Sequence, residues 1–174
     1  MPRFRTIALA AIAAASLAPT AARATPITFE CDAPTERYSS MIVPIGSSAS
    51  VVGTLTAAAF RPGKGQSIGG LVINSADGLN MVGFHLVLPT VDAKALNLVL
   101  VAKNAGKLDR RLVRTVPLGT AVPFSMVLPA GGQGRLVLGE TAVSVAFANL
   151  KSGNAIIFCG SGQYRFTGLD VGAP

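Results

Sequence analysis

Short apolar runs, separated by turn residues, fill most of the chain. From residue 25 onward, Gly, Pro, Asn or Asp interrupts the sequence about every 8–12 residues, and the runs between are rich in Val, Ile, Leu and Phe. The first run, 27–32, alternates apolar and polar residues, which places one face in a core and the other in solvent. Many short strands at this spacing are typical of an all-β antiparallel sandwich.

The remaining runs predict the other strands and turns. Strands are expected at 49–60, 71–73, 81–88, 95–102, 108–116, 122–128, 135–138, 142–147, 155–159 and 164–171. Turns are expected at 61–66, 74–78, 104–106, 129–134 and 149–154, where Gly, Pro, Asn and Asp cluster. Residues 91–101 also fit a helix, so that alternative stays open. No repeat or linker divides residues 25–174, which predicts a single domain.

Residues 1–24 have the three parts of a secretory signal peptide. Arg3 and Arg5 precede an apolar run at 7–18, and Ala22-Arg23-Ala24 provides a small-x-small cleavage pattern. A membrane anchor is the alternative, but the run is shorter than the roughly 18–20 apolar residues that span a bilayer. We therefore expect cleavage after Ala24, export to the periplasm or the medium, and no membrane span afterwards.

Composition excludes disorder and weakens the case for a nucleic-acid partner. Half of the residues are apolar, which is incompatible with the composition of disordered chains. The formal charge of +7 includes Arg3, Arg5 and Arg23, and without them it is +4. Because base-stacking aromatic residues are absent near the most basic stretch, 107–114, nucleic acid is not an expected partner.

The only two cysteines, Cys31 and Cys159, predict one disulfide if the chain is exported. A disulfide requires Cα atoms within about 7 Å, so the first and penultimate strands would be neighbours. Two buried free thiols are the alternative. Metal binding by two isolated cysteines and one histidine is not expected, and no cofactor is predicted.

The last fifty residues resemble a known group of sandwiches. Residues 124–128, the glycine loop after them, 135–139 and the closing stretch 162–171 are similar to strands of the concanavalin A-like lectin/glucanase jelly roll. The resemblance implies glycan binding or cleavage and adjacent first and last strands. The chain lacks the Glu-x-Asp-x-x-Glu cluster of the hydrolytic branches and the closely spaced Asp and Asn of the calcium-binding lectins.

A few side chains are candidates for ligand binding. Tyr38, in a stretch expected to be a polar loop, is the better of two tyrosines for stacking on a sugar. Asp77, Asn149 and Asn154 lie in predicted turns and complete the candidate binding set. No catalytic residue and no metal site is predicted.

Three ionisable groups have two interpretations each. Glu30 and Asp32 share a strand face at a spacing compatible with a glycosidase pair, but a solvated strand face explains them equally. His85, the only histidine, fits either a general base or pH-sensitive contact, or an ordinary strand residue.

The most basic stretch is a patch of four cations around an aspartate: Lys107, Arg110, Arg111 and Arg114. It suits an anionic polymer or lipid head groups, and it equally suits an edge strand that charges protect from aggregation. We favour the second interpretation. The predicted function is an exported, non-catalytic binding or structural module of the cell envelope that contacts a glycan. The alternative is an assembly subunit that pairs with an envelope protein through an exposed strand edge.

Overall fold

The computed structural model describes residues 25–61, 63–147 and 150–173. Within these ranges the chain is all-β, as expected, and contains no helix. The strands are β1 (Ile27–Ile45), β2 (Ala49–Phe60), β3 (Ile68–Ser75), β4 (Met81–Val87), β5 (Ala95–Asn104), β6 (Lys107–Pro117), β7 (Ala121–Leu128), β8 (Gly132–Leu138), β9 (Thr141–Phe147) and β10 (Gly153–Gly172). The predicted signal peptide, 1–24, lies outside the described residues. Within the described residues, no helix is long and apolar enough to cross a membrane.

Two long strands, β1 and β10, belong to both sheets of an antiparallel sandwich. The first half of β10 pairs with β3 and its second half with β2, while β1 runs along both halves. Sheet I therefore has the order β1–β10–β3–β4–β5–β6, and sheet II has the order β1–β10–β2–β7–β8–β9. The shared strands close one side of the sandwich, and β6 and β9 end the two sheets on the other side.

A bulge lets these strands pass from one sheet to the other. The β1–β10 register shifts between Ala33 and Tyr38. Within this bulge Glu36 has a φ of 62°, and opposite it Ser161 of β10 has a φ of 48°. The Glu36 backbone N–H donates a hydrogen bond of 2.9 Å to Ser161 Oγ, which ties the two distorted segments together.

The structure corrects three sequence expectations. Tyr38 lies in β1 and not in a loop. Residues 155–159 and 164–171, predicted as two strands, belong to one continuous strand, because Gly160 and Gly162 allow close strand approach between them. Strands also extend into four predicted turns, since β3 ends at Ser75, β5 ends at Asn104, β8 begins at Gly132 and β10 begins at Gly153. The strand interpretation of 91–101 is correct, because β5 occupies most of it.

Inward-facing side chains of both sheets form the core. Phe84 of sheet I and Phe124 of sheet II meet with ring centroids 5.0 Å apart. The predicted disulfide is present, with Cα atoms of Cys31 and Cys159 6.0 Å apart and both residues buried. It joins the sheet II part of β1 to the sheet I part of β10, so it fixes the crossover between the sheets.

A buried hydrogen bond also lies at this crossover. The hydroxyl groups of Tyr164 and Ser67 are 2.9 Å apart, and both residues are 2% exposed. Burial raises the pKa of Tyr164 to about 12, against a smaller opposing effect of the Ser67 hydrogen bond. The Tyr164 ring packs against Gly69, where a Cβ would lie 2.3 Å from a ring carbon.

Replacing Tyr164 by Phe should lower the free energy of unfolding by about 1–2 kcal/mol, because the Ser67 hydroxyl would stay buried without its partner. Urea denaturation measures this change. In the double variant Tyr164→Phe/Ser67→Ala the loss should be smaller than the sum of the single losses. Additive single losses would mean that the two hydroxyl groups are not coupled.

Candidate functional site

Tyr38 presents an exposed aromatic ring on the outer face of sheet I. The residue is 70% exposed, and its partner across the β1–β10 ladder is Gly160. A Cβ at Gly160 would lie 2.6 Å from the nearest ring carbon, so only glycine lets the ring rest on the strand backbone. A ring held against a strand loses little freedom when a ligand stacks on its open side.

The strand positions next to Tyr38 continue this face. Ser40 and Ile42 follow on the same side of β1, and Ile42 is 58% exposed. Phe158 lies opposite Ser40, and Ile156 lies opposite Ile42. We call this surface the Tyr38 face: Tyr38, Ser40, Ile42, Ile156 and Phe158. It combines one free aromatic ring, apolar neighbours and one exposed hydroxyl group.

His85 borders the Tyr38 face from β4. Its ring meets Phe158 edge-on, with centroids 5.2 Å apart. Burial and, to a smaller extent, the positive charge of Arg110 together lower the pKa of His85 to about 4. The imidazole is therefore neutral at pH 7.

The candidates Asp77 and Asn154 lie at the other end of sheet I. Asn154 sits six residues from Gly160 along β10, about 20 Å at strand spacing. Its ladder partner is Asn74, whose Oδ1 is buried and accepts no hydrogen bond from the described residues. Neither candidate shares a small-ligand site with Tyr38. Asn149 lies outside the described residues.

Asp77 already has a role in the β3–β4 turn. Its Oδ1 accepts hydrogen bonds from the Ser75 hydroxyl at 2.5 Å and from the Leu79 N–H at 2.9 Å. The Ser75 bond is the main reason why the pKa of Asp77 is lowered. Gly78, with a φ of 69°, completes the turn as the sequence predicted.

Glu30 and Asp32 lie together on the outer face of sheet II, beside a cavity of about 300 Å³. Each carboxylate is paired with an arginine: Glu30 with Arg165 at 2.7 Å, and Asp32 with Arg61. Gln163 also donates to Asp32, at 3.1 Å. The Arg61 hydrogen bond is the main cause that lowers the pKa of Asp32, so this carboxyl stays ionised and is a poor proton donor.

The basic patch is divided between the two faces of β6, which is an edge strand. Arg110 lies opposite Val101 on the outer face, near His85. Lys107 and Arg111 line a second cavity of about 300 Å³ on the inner face, between β6 and β9. The Arg114 guanidinium lies beside Gly139, in the turn before β9. The four cations therefore do not form one surface.

Sequence reasoning missed the apolar part of the Tyr38 face. Ile42 was not singled out, and the second half of β1 was not predicted as a strand. Ile156 and Phe158 lie in the run 155–159, in which consecutive residues are all apolar. Such a run indicates that both faces of this strand carry apolar residues. Gly160 gave no signal of its role, because its contact with Tyr38 is between β10 and β1, which are far apart in the sequence.

In the described part of the chain, no group of three or more His, Cys, Asp or Glu side chains is placed to hold a metal ion.

No protein-family model and no curated protein matches the sequence. Solved structures do share its fold. An alginate lyase from Alteromonas sp. 272 has a TM-score of 0.60 and 7% identity, with 84% of this chain and 87% of that chain covered. Scytalido-glutamic peptidase has a TM-score of 0.55 and 14% identity over 78% and 80%. The carbohydrate-binding module CBM66 from Bacillus subtilis has a TM-score of 0.50 and 10% identity over 83% and 86%. The chain thus has a jelly-roll β-sandwich fold, in agreement with the fold-level resemblance to concanavalin A-like lectins and glucanases.

Proposed function

We propose that this chain is an exported carbohydrate-binding module that holds a sugar ring on Tyr38. The observation that carries the proposal is the 70% exposed ring, fixed against Gly160 on an open strand face. The face of an aromatic ring is electron-rich and attracts the weakly positive C–H bonds of a pyranose. Ser40, the next residue on this face of β1, would hydrogen-bond a sugar hydroxyl.

Two further observations support binding to carbohydrate outside the cytoplasm. Structures with this fold include a carbohydrate-binding module and an alginate lyase, although at these identities they share the fold alone. The Cys31–Cys159 disulfide suits an oxidising compartment, in agreement with the signal-like segment at 1–24. Because one fold carries many activities, the proposal rests on the Tyr38 face and not on the fold.

The proposed module binds a glycan and does not cleave it. Cleavage by the usual glycosidase route needs one carboxylic acid and one carboxylate across the scissile bond. Asp32 is held ionised by Arg61, and Glu30 is paired with Arg165. Hydrolysis of a polysaccharide by the wild-type chain, abolished in Glu30→Gln or Asp32→Asn, would contradict this part of the proposal.

A thermal-shift screen of residues 25–174 against neutral and acidic oligosaccharides tests binding. A ligand at about 100 times its Kd stabilises by about 2.7 kcal/mol, or roughly 5–10 °C for a domain of this size. With the glycan that binds, Tyr38→Ala should weaken affinity at least about tenfold, whereas Tyr38→Phe keeps the ring and most of the affinity.

Two variants serve as controls. Gly160→Ala should weaken binding nearly as much as Tyr38→Ala, because the added Cβ displaces the ring. Val52→Ala, on the outer face of sheet II, should leave affinity unchanged. Equal affinity of the wild type and Tyr38→Ala would show that the glycan binds elsewhere than at Tyr38. Absence of a thermal shift with every glycan would contradict the carbohydrate proposal.

A further inference from the structure

The free edges of the two sheets do not face each other directly. Cα atoms of β9 come within 8 Å of those of β4 and β5. A cavity of about 300 Å³ lies between β9 and β6, so β6 extends beyond the opposite sheet. Leu100 and Ala102 of β5 form part of the cavity wall, together with Val143 and Val145 of β9. A strand added beside β9 would lie over this cavity.

The two edge strands differ in how they resist pairing with another chain. β6 carries Lys107, Arg110, Arg111 and Arg114, and such charges discourage edge-to-edge association. β9 has the sequence TAVSVAF, without a charge or a proline, and among the described strands only β8 pairs with it. Its outer backbone groups are therefore a template for an added strand.

We propose that β9 accepts an extended acidic segment of a partner protein as an added strand of sheet II. Such a strand would lie over the inner face of β6, which presents Lys107, Asp109 and Arg111. Lys107 and Arg111 are four residues apart on one face, about 13 Å at strand spacing. The partner's inward side chains lie at alternate positions of the added strand. We expect a carboxylate opposite Lys107, an apolar or small side chain opposite Asp109, and a second carboxylate opposite Arg111.

Charge and backbone together favour a polypeptide over other anionic ligands. The inner face carries Lys107 and Arg111 against the single acid Asp109, and Arg114 stands at the turn that leads into β9. An anionic polysaccharide could match the cations but not the row of N–H and C=O groups along β9. The segment binds away from the Tyr38 face, so this proposal does not depend on carbohydrate binding.

The test uses the blocked peptide Thr-Glu-Thr-Val-Thr-Glu-Thr and the disulfide-bonded chain 25–174. Calorimetry should show saturable binding at millimolar peptide or below, and amide exchange within Val143–Ala146 should slow at least tenfold. Lys107→Ala/Arg111→Ala should weaken binding at least tenfold. Arg110→Ala removes a cation of the same strand from the opposite face and should have little effect, as should Tyr38→Ala.

Ligand controls separate strand pairing from simple charge attraction. The same peptide with Lys in place of Glu, and one with the two Glu residues on opposite faces, should both bind at least tenfold more weakly. Equal binding of polygalacturonate without slower β9 exchange would overturn the proposal in favour of a polyanion site. Absence of saturable binding by the acidic peptide would also overturn it.

Discussion

Replacing both Cys31 and Cys159 by serine should lower the free energy of unfolding by about 4–5 kcal/mol. The two residues are 128 positions apart, and a cross-link over so long a loop removes much of the entropy of the unfolded chain. Both are buried at the place where β1 and β10 pass between sheets. Urea denaturation of the oxidised wild type and the double serine variant measures the loss.

The reduced wild-type chain is the matched control, because it breaks the same cross-link without new side chains. It should be destabilised to a similar extent as the double serine variant. A loss below about 1 kcal/mol in both would mean that the crossover is fixed by strand pairing alone. A large loss in the variant but not in the reduced chain would point to the buried serine hydroxyls as the cause.

Acidification should destabilise the fold through His85. Its pKa is lowered to about 4 by burial and by Arg110, whereas an unfolded histidine titrates near 6.5. Between pH 6.5 and 4 the unfolded chain binds a proton at His85 more tightly than the folded chain does. The contribution of neutral His85 to the free energy of unfolding is therefore fully present above pH 6.5 and is lost as the pH falls towards 4. At pH 4.5 the loss should be about 2–3 kcal/mol relative to pH 7.

His85→Gln isolates this contribution, because glutamine does not titrate. From pH 7 to 4.5 the free energy of unfolding of the variant should fall by about 2–3 kcal/mol less than that of the wild type. Asp32 and Asp77, whose pKa values are also lowered, lose their contributions only below about pH 4, so they add little in this window. Parallel pH profiles for the two proteins would show that His85 can be protonated in the folded state at little cost.

The sequence predicted the local strands well and the long-range crossover poorly. Strand β2 has the expected bounds, 49–60, because its apolar run is clearly limited by Gly and Pro on one side. The β1 bulge was taken for a loop since Pro34 and a polar stretch interrupt the apolar pattern there. What keeps this segment in the strand is pairing with β10, more than 100 residues away, and no local signal reports it.

The candidate site was predicted in part for the same reason. Tyr38 was predicted to present an aromatic ring for stacking, and its ring is exposed in the structure. The contact of this ring with Gly160 depends on strand pairing, which the sequence does not report. The four basic residues formed one patch in the sequence because they lie within residues 107–114. Strand alternation and the bulge after Leu98 divide them between two faces of β6.

The two proposed sites use different parts of the sandwich. The Tyr38 face lies where the shared strands close it, and the β9 edge lies on its open side. A ligand at one site would leave the other free, so a module of this kind could hold a glycan while attached to a partner protein.

The most direct test of the central claim is an NMR titration of residues 25–174 with the oligosaccharide that gives the largest thermal shift. We expect amide resonances of Tyr38–Ile42 and Ile156–Gly160 to move with one binding curve, while those of Val143–Ala146 stay in place. Movement confined to the loops around Asp77, or to Glu30 and Asp32, with the Tyr38 resonances unchanged, would contradict the account.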